Sequence, residues 1–295
     1  MKNKILPNIA FFDSSQGGLT VWENVLKRFP KLNTQYLGDN ARCPYGNKSK
    51  ETITRYASEA ALFLANRNAT LLVIACGTAS SVAAKELQHL FKLPIIGIVD
   101  GFCKFVAQIL TEKSRTVAVL GTRFTIRSNR FNEELTNHGI EKVWTRACPL
   151  LVPLVEEGIS QGPIADAACD MYLWDIPEDT KIVMLACTHY PRLTKPIAES
   201  IERRLGKTVI YKTIDGDWIL KIGTRDTSDP IYLVETSLPI VNYVNQYISE
   251  NKLEDKLYHG EKRVLCTDSP EQFESIARFF TSIPLPKVEA VEIQT

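Results

Sequence analysis

Short apolar runs alternate with longer mixed stretches along most of the chain. The runs are 9–12, 35–37, 71–75, 95–99, 117–120, 142–144, 182–186 and 209–211. They are rich in β-branched residues and lack polar alternation, which predicts strands buried on both faces, as in a parallel sheet. The stretches between them carry helical spacing. In Lys50–Asn66 the residues Ile53, Ala57, Ala60, Ala61 and Leu64 share one face, which predicts an amphipathic helix. Strands and helices alternating in this way predict an α/β chain.

The pattern also repeats itself. With Cys76 laid against Cys187, Leu71-Leu72-Val73-Ile74-Ala75-Cys76-Gly77-Thr78 faces Ile182-Val183-Met184-Leu185-Ala186-Cys187-Thr188-His189. Earlier in the chain, Phe12-Asp13-Ser14 faces Leu120-Gly121-Thr122, and Cys43-Pro44 faces Cys148-Pro149. Later, Ile98-Val99-Asp100 faces Thr213-Ile214-Asp215. One such match is within reach of chance; matches in the same order favour an internal repeat. Two similar α/β halves follow, each with its own sheet. Ligands of open α/β sheets bind outside the carboxyl ends of the strands. Both cysteines fall at such ends, where a helix is due to begin, and symmetry would bring them to one cleft from opposite sides.

Beyond Asp215 the pattern loosens. Segments 226–230 and 250–262 read as polar loops, 240–248 and 270–280 as helices, and 263–266 as a strand. The second helix has Asp268 or Ser269 as its expected cap.

Composition narrows the class. At about 150 residues per domain, 295 residues make roughly two domains. Hydrophobic residues at 44% and charged residues at 23% exclude a disordered chain and a small disulfide scaffold. Lys and Arg total 35 against 34 for Asp and Glu, a net charge of +1 that lacks the basic footprint of a dedicated nucleic-acid binder. Residues 1–8 imitate a signal peptide only as far as Pro7 and Asn8, and no apolar run approaches the roughly 20 residues of a membrane span. The seven cysteines show no paired spacing and no CxxC, which favours a reduced, cytoplasmic setting and argues against structural zinc.

The candidate chemistry gathers at the strand ends. A helix N-terminus or a neighbouring charge can lower a thiol pKa into the working range. Two thiols facing one cleft allow one to remove a proton and the other to deliver one, which inverts a stereocentre. Taken singly, Cys76 and Cys187 each read as core cysteines; the repeat favours a functional pair. His189 is either an aid to ionising Cys187 or a polar cap. Asp13-Ser14-Ser15-Gln16-Gly17-Gly18 is either an ordinary turn or a holder of carboxylate, with Asp13 as base partner to a thiol. It is no P-loop, and no GxGxxG follows a strand. Tyr45 and Gly46 either line a ligand or form a plain turn. Glu156 either orients His189 or edges a helix. Arg42, Arg123 and Arg127 are carboxylate-binding candidates, with solvated surface as the default reading.

Taken together these segments resemble the glutamate racemase family, cofactor-independent enzymes that make D-glutamate for bacterial peptidoglycan. The segments are 12–14 with 17–21, 36–39 through Arg42 and 44–46, 75–76 with 78–79, 121–122 with Thr125, 147–156, and 187–191. The wider aspartate/glutamate racemase group shares the paired cysteines, while the full set points to the glutamate branch. The resemblance implies two pseudo-symmetric α/β domains, each a mainly parallel sheet flanked by helices, with the active site at the domain interface. It implies a first domain of residues 1–99 plus 212–295 and a second of 100–211. Cys76 and Cys187 would be the acid–base residues, Asp13 assisting the first, His189 the second, with Glu156 behind it. Asp13, Ser14, Tyr45, Gly46, Gly77, Thr78, Thr188 and His189 would contact substrate, with Thr122 and Thr125 contributing. No cofactor or metal is expected; the substrate would be glutamate, and a homodimer is an expectation by analogy.

Two positions depart from the family pattern. Gly77 stands where Asn is usual, and Ser15 where Gly is usual. A lost amide contact to a charged group is worth about 1.5–3 kcal/mol, or roughly ten- to a hundredfold. The departures leave two other readings beside glutamate racemase: a racemase of another amino acid such as aspartate, and a non-catalytic binder. The stretch 219–258 looks longer than usual, and nothing is carried over there.

Overall fold

The computed structural model describes residues 7–212, 218–222, 226–257 and 260–293. The chain begins with β1 (Asn8–Asp13), α1 (Leu19–Arg28), β2 (Asn33–Gly38), α2 (Lys50–Asn66), β3 (Leu71–Ile74), α3 (Gly77–Leu90) and β4 (Ile95–Gly97). It continues through α4 (Ile98–Ile109), β5 (Thr116–Gly121), α5 (Arg123–Arg127), α6 (Arg130–Asn137), β6 (Lys142–Ala147), α7 (Leu151–Glu156), α8 (Pro163–Leu173) and β7 (Thr180–Leu185). Then come α9 (Thr194–Leu205), β8 (Lys207–Lys212), β9 (Trp218–Ile222), β10 (Asp226–Glu235), α10 (Ser237–Glu250), β11 (Lys262–Cys266), α11 (Pro270–Ala277) and β12 (Val288–Ala290).

Two compact units result, Met1–Ile98 with Pro239–Thr295, and Val99–Leu238. The first holds an all-parallel sheet in the order β12-β11-β2-β1-β3-β4. Its central strands are buried on both faces: Ile9 to Phe12 and Leu71 to Ile74 are fully enclosed. The unbroken apolar runs of the sequence arise from this double covering. The α2 face named from spacing (Ile53, Ala57, Ala60, Ala61, Leu64) is the buried face, and Ser49 caps the helix by accepting from the Thr52 amide.

The second unit holds the order β6-β5-β7-β10-β8-β9, parallel except for the β8–β9 pair. Its core packs Val117, Val119, Ile182, Met184 and Val234 against Val99, Phe102, Cys103 and Val106 of α4. That last spacing explains why the run 95–99 is not strand throughout. Val99, Phe102, Cys103 and Val106 follow helical period, so strand gives way to helix at Ile98.

The repeat is visible in the strand order. In the first sheet β2, β1, β3 and β4 are neighbours; in the second, β6, β5, β7 and β10 occupy the same relations. The place of β4 is therefore taken by β10, and β8 and β9 lie beyond it. The proposed match of Ile98-Val99-Asp100 to Thr213-Ile214-Asp215 falls on 213–217, outside the described residues.

The chain passes from the first unit to the second at Ile98 and returns at Pro239. Both crossings lie in the first turn of a helix that follows a strand, α4 after β4 and α10 after β10. The family resemblance implies a return at 212, whereas β9 and β10 extend the second sheet beyond it. Segment 226–230, read as a polar loop, opens β10. Asp226 pairs with Lys207 before a register shift to Ile231, and Asp229 carries ion pairs to Arg115, Lys181 and Lys207. Helix α11 begins as expected but ends at Ala277, and Ser269, its N-cap, is left-handed with no side-chain cap bond. No helix among the described residues is long and apolar enough to cross a membrane.

Candidate active site

In the first unit β1 and β3 lie side by side, Phe12 opposite Ile74. Their carboxyl ends therefore bring Asp13 and Ser14 beside Cys76. The Asp13 carboxylate accepts from the Ser15 amide at 2.9 Å, which fixes the turn leaving β1. Gly18 lets this loop close on the sheet: a Cβ there would lie 2.7 Å from the Asp13 Cβ and 3.0 Å from that of Ala75. Cys76 caps α3. Its Sγ accepts from the Ala79 amide at 3.5 Å, and its thiol reaches the Ser14 hydroxyl at 3.5 Å.

Cys76 is 5% exposed. Burial, and then the Asp13 carboxylate, push its pKa up to about 11, against smaller opposing effects of Ser14 and the α3 amide. The expected lowering by the helix N-terminus is thus reversed, because desolvation and a nearby negative charge both favour the neutral thiol. Cys76 rests protonated, with a carboxylate beside it.

Thr78 and Gly77 are buried at the start of α3. Tyr45 is buried, its ring tilted against that of Phe12 with centroids 6.1 Å apart. Its hydroxyl donates to Asp39, and burial followed by that carboxylate raises its pKa far out of range. Gly46, next to it, is half-buried. Asp39 organises the surroundings of Tyr45: it also accepts from Arg42 Nε at 2.7 Å and Thr267 Oγ1 at 3.0 Å. Arg42 in turn pairs with Glu59 and lies 4.0 Å from the Tyr56 ring. Its Nε and Nη1 are taken by Asp39 and Glu59, while Nη2 is buried without a hydrogen-bond partner among the described residues, so the default reading as solvated surface does not hold. The sequence motifs give Asp39 no role of its own; its signal is its place just past β2 at the carboxyl edge of the sheet.

In the second unit Cys187 follows β7 as Cys76 follows β3. The expected helix does not begin there: a 3₁₀ turn, Tyr190–Leu193, intervenes before α9. His189 is 3% exposed. Its Nδ1 lies 3.9 Å from Cys187 Sγ and its Nε2 3.1 Å from Glu156 Oε1 at the end of α7. Thr188 is buried alongside. The Tyr190 hydroxyl donates to the Cys148 carbonyl at 2.9 Å and ties this loop to the segment between β6 and α7. Thr122 caps α5 through the Thr125 amide, with the two hydroxyls 2.9 Å apart. Arg123 and Arg127 are exposed on α5, in keeping with the solvated reading. Glu235, at the end of β10 opposite Leu185, is buried and accepts from the Ser237 hydroxyl at 2.5 Å. It also bonds to Tyr211, whose pKa burial and then Glu235 raise. Glu235 lies in the stretch 219–258, where the family resemblance carries nothing over, and its signal is its place at the end of β10.

Each unit therefore presents a buried cysteine at the same place in its sheet, with a different polar neighbour in each, Asp13 in one and His189 in the other. The Asp/Glu/Hydantoin racemase family model matches residues 17–213. A glutamate racemase of Persephonella marina is 42% identical over 98% of this chain and 99% of its own. The chain belongs to the glutamate racemase family. The glutamate racemase of Aquifex aeolicus is also 42% identical, over 66% of this chain and 75% of its own. Among solved glutamate racemases, that of Francisella tularensis in complex with D-glutamate is 28% identical and aligns with a TM-score of 0.82, covering 97% of this chain and 98% of that one. That of Thermus thermophilus with β-chloro-D-alanine is 29% identical with a TM-score of 0.80, covering 98% of each. The resemblance seen in the sequence motifs and the α/β architecture drawn from it both hold.

Proposed function

We propose that this protein interconverts L- and D-glutamate without a cofactor, Cys76 and Cys187 serving as the two acid–base groups. The observation that carries this reading is the repeated placement of a buried cysteine after β3 and after β7, each with its own polar partner. One sulfur, as thiolate, takes the α-proton while the C–H electron pair moves into the carboxylate. The other, as thiol, gives its proton to the opposite face of the α-carbon. The two sulfurs finish with their protonation states exchanged, and the reverse reaction restores them.

Asp13 serves Cys76. The raised pKa keeps the Cys76 thiol protonated at rest and makes its thiolate the stronger base, formed when the proton passes, at an energetic cost, to the adjacent carboxylate. His189 serves Cys187, and Glu156 holds the imidazole. Donors from Ser14, Thr78 and Thr188 stabilise the charge that builds on the substrate carboxylate. Tyr45, held by Asp39, and Gly46 contact the substrate beside Cys76. The same reading places the enzyme in the reduced cytoplasm, supplying D-glutamate for peptidoglycan.

Chiral chromatography after incubation with L-glutamate, D-glutamate or L-aspartate tests the assignment. Both glutamate isomers should approach an equal mixture while aspartate stays unchanged. Faster racemisation of aspartate than of glutamate would overturn the choice of substrate.

A further inference from the structure

Helix α8 buries Ala165, Ala168, Cys169, Tyr172 and Leu173. A surface helix ordinarily sets polar residues opposite such a face. Here Ile164, Ala167, Met171 and the C-cap residue Trp174 are exposed instead. Leu150, just before α7, is exposed beside them. Leu150, Ile164, Met171 and Trp174 are each half or more exposed, and they make up half of the exposed large hydrophobic residues among the described ones. A groove of about 470 Å³ runs between the two helices, with Leu150, Pro153 and Leu154 on one wall and Ile164, Ala167 and Met171 on the other. A concentrated apolar patch of this kind marks a surface that another molecule covers.

Two features select the occupant. The first is spacing. The stripe on α8 runs at intervals of three, four and three residues, the same read from either end. A second α8 laid antiparallel, about a two-fold axis at Cys169, therefore sets Ile164 against Trp174 of the second copy and Ala167 against its Met171. Each pair joins a smaller side chain to a larger one, so that ridge can enter groove. An interface between identical chains about a two-fold axis needs this self-complementarity.

The second feature is charge, which reverses along the stripe. The Leu150 amide donates to the Tyr172 hydroxyl at 3.1 Å, and residues 157–162 join the end of α7 to the start of α8. The two helices therefore run antiparallel, and Glu157 flanks the Ile164 end on the α7 side. Asp166 flanks the same end on the α9 side, within electrostatic reach of Arg203. At the Trp174 end, Arg204 Nε donates to the Trp174 carbonyl at 2.6 Å, and Arg123 lies within electrostatic reach of Tyr172. Between the ends Asp170 pairs with Arg203, and Asp175 is taken by Arg146. An antiparallel copy thus lays acidic end on basic end along both flanks, which fixes orientation as well as partner.

We infer that α7 and α8 form the surface on which a second copy of this chain docks, α8 against α8 and antiparallel. Met171 and Trp174 are its apolar anchors. Glu157 faces Arg123 of the second copy, and Asp166 faces its Arg204. The inference is independent of the substrate.

The test is sedimentation velocity of the full chain over a range of concentrations, beside hydrogen–deuterium exchange of the wild-type protein at low and high concentration. A dimer should form, and residues 150–154 and 163–174 should gain protection as it does. Met171→Glu and Trp174→Glu should each weaken the dimer about tenfold or more, with circular dichroism unchanged because both side chains are exposed. Arg204→Glu should weaken it as well, and adding Asp166→Arg to the same chain should recover part of the loss. A wild-type chain that stays monomeric to about 100 µM would overturn the inference. So would a dimer of unchanged affinity in the folded Met171→Glu and Trp174→Glu variants, or protection that leaves these two segments unaffected. A charge exchange that recovers nothing would overturn the antiparallel arrangement. Exchange is read in the wild-type protein, so a variant that fails to fold leaves the test intact.

Discussion

His189 Nε2 lies 3.1 Å from Glu156 Oε1, and the imidazole so held turns its other nitrogen to Cys187 Sγ at 3.9 Å. A carboxylate only accepts, so it fixes the proton on Nε2 and leaves Nδ1 as the nitrogen facing the thiol. Glu156→Gln keeps the reach but can donate as well as accept, which unfixes that tautomer. It should lower kcat about a hundredfold. The melting temperature should hardly move, because the Glu156 side chain is 30% exposed and partly exposed pairs contribute little stability. Steady-state kinetics beside thermal melts checks this; an unchanged kcat would remove Glu156 from the reaction.

Cys76→Ser and Cys187→Ser should each lose net racemisation by at least about a hundredfold, since each deletes one of two proton-transfer groups. Both residues are buried, 5% and 7% exposed, and serine is close in volume, so both variants should remain folded by circular dichroism. Full racemisation by either would contradict the two-cysteine account.

The position of Asp13 makes the Cys76 thiol sensitive to one charge. Burial is the larger cause of its pKa of about 11 and the Asp13 carboxylate the next. Asp13→Asn removes the second cause, so the Cys76 pKa should fall while staying above the ordinary thiol value. Alkylation by iodoacetamide against pH, read at Cys76 by mass spectrometry, should show its midpoint move to lower pH. An upward shift would contradict the assignment. The linkage has a definite sign. The folded chain keeps this proton to about pH 11, whereas an unfolded thiol releases it near 9.0. The stability tied to it is full below pH 9 and is lost as pH rises through the folded value.

Asp229 on β10 binds three cations at once: Arg115 Nη2 at 2.6 Å, Lys181 Nζ at 2.7 Å and Lys207 Nζ at 2.9 Å. These contacts outweigh burial, the largest single effect on it, and hold the carboxyl well below its ordinary pKa. Asp229→Asn leaves the cations facing one another and should cost about 1.5–3 kcal/mol, with added salt restoring part of the loss. For the native residue the contribution is present above the ordinary value of 3.8 and is lost as pH falls through the lower folded value. Thermal melts at two salt concentrations check it; equal melting temperatures for variant and native chain would show the cluster to be neutral.

Much of this molecule was legible before its structure. Double burial makes β1, β3, β5 and β7 read as unbroken apolar runs, and α2 shows its buried face in its spacing. The placement of the two cysteines was legible because a repeat registers one strand end against another. Other features depend on contacts between distant residues. Glu235 gains its surroundings only when β10 is seen beside β7, and Arg42 leaves the solvated surface only when Asp39 and Glu59 are seen around it. The pKa of Cys76 was misjudged for a similar reason: a helix N-terminus can be read from sequence, but the burial that outweighs it cannot.

The most direct test of the central claim is proton NMR of L-glutamate, and separately of D-glutamate, incubated with the reduced protein in heavy water. The two-cysteine account predicts loss of the α-proton signal from each isomer, with solvent deuterium entering the product of opposite handedness. Absence of exchange from either isomer with folded protein, or exchange that always retains configuration, would contradict it.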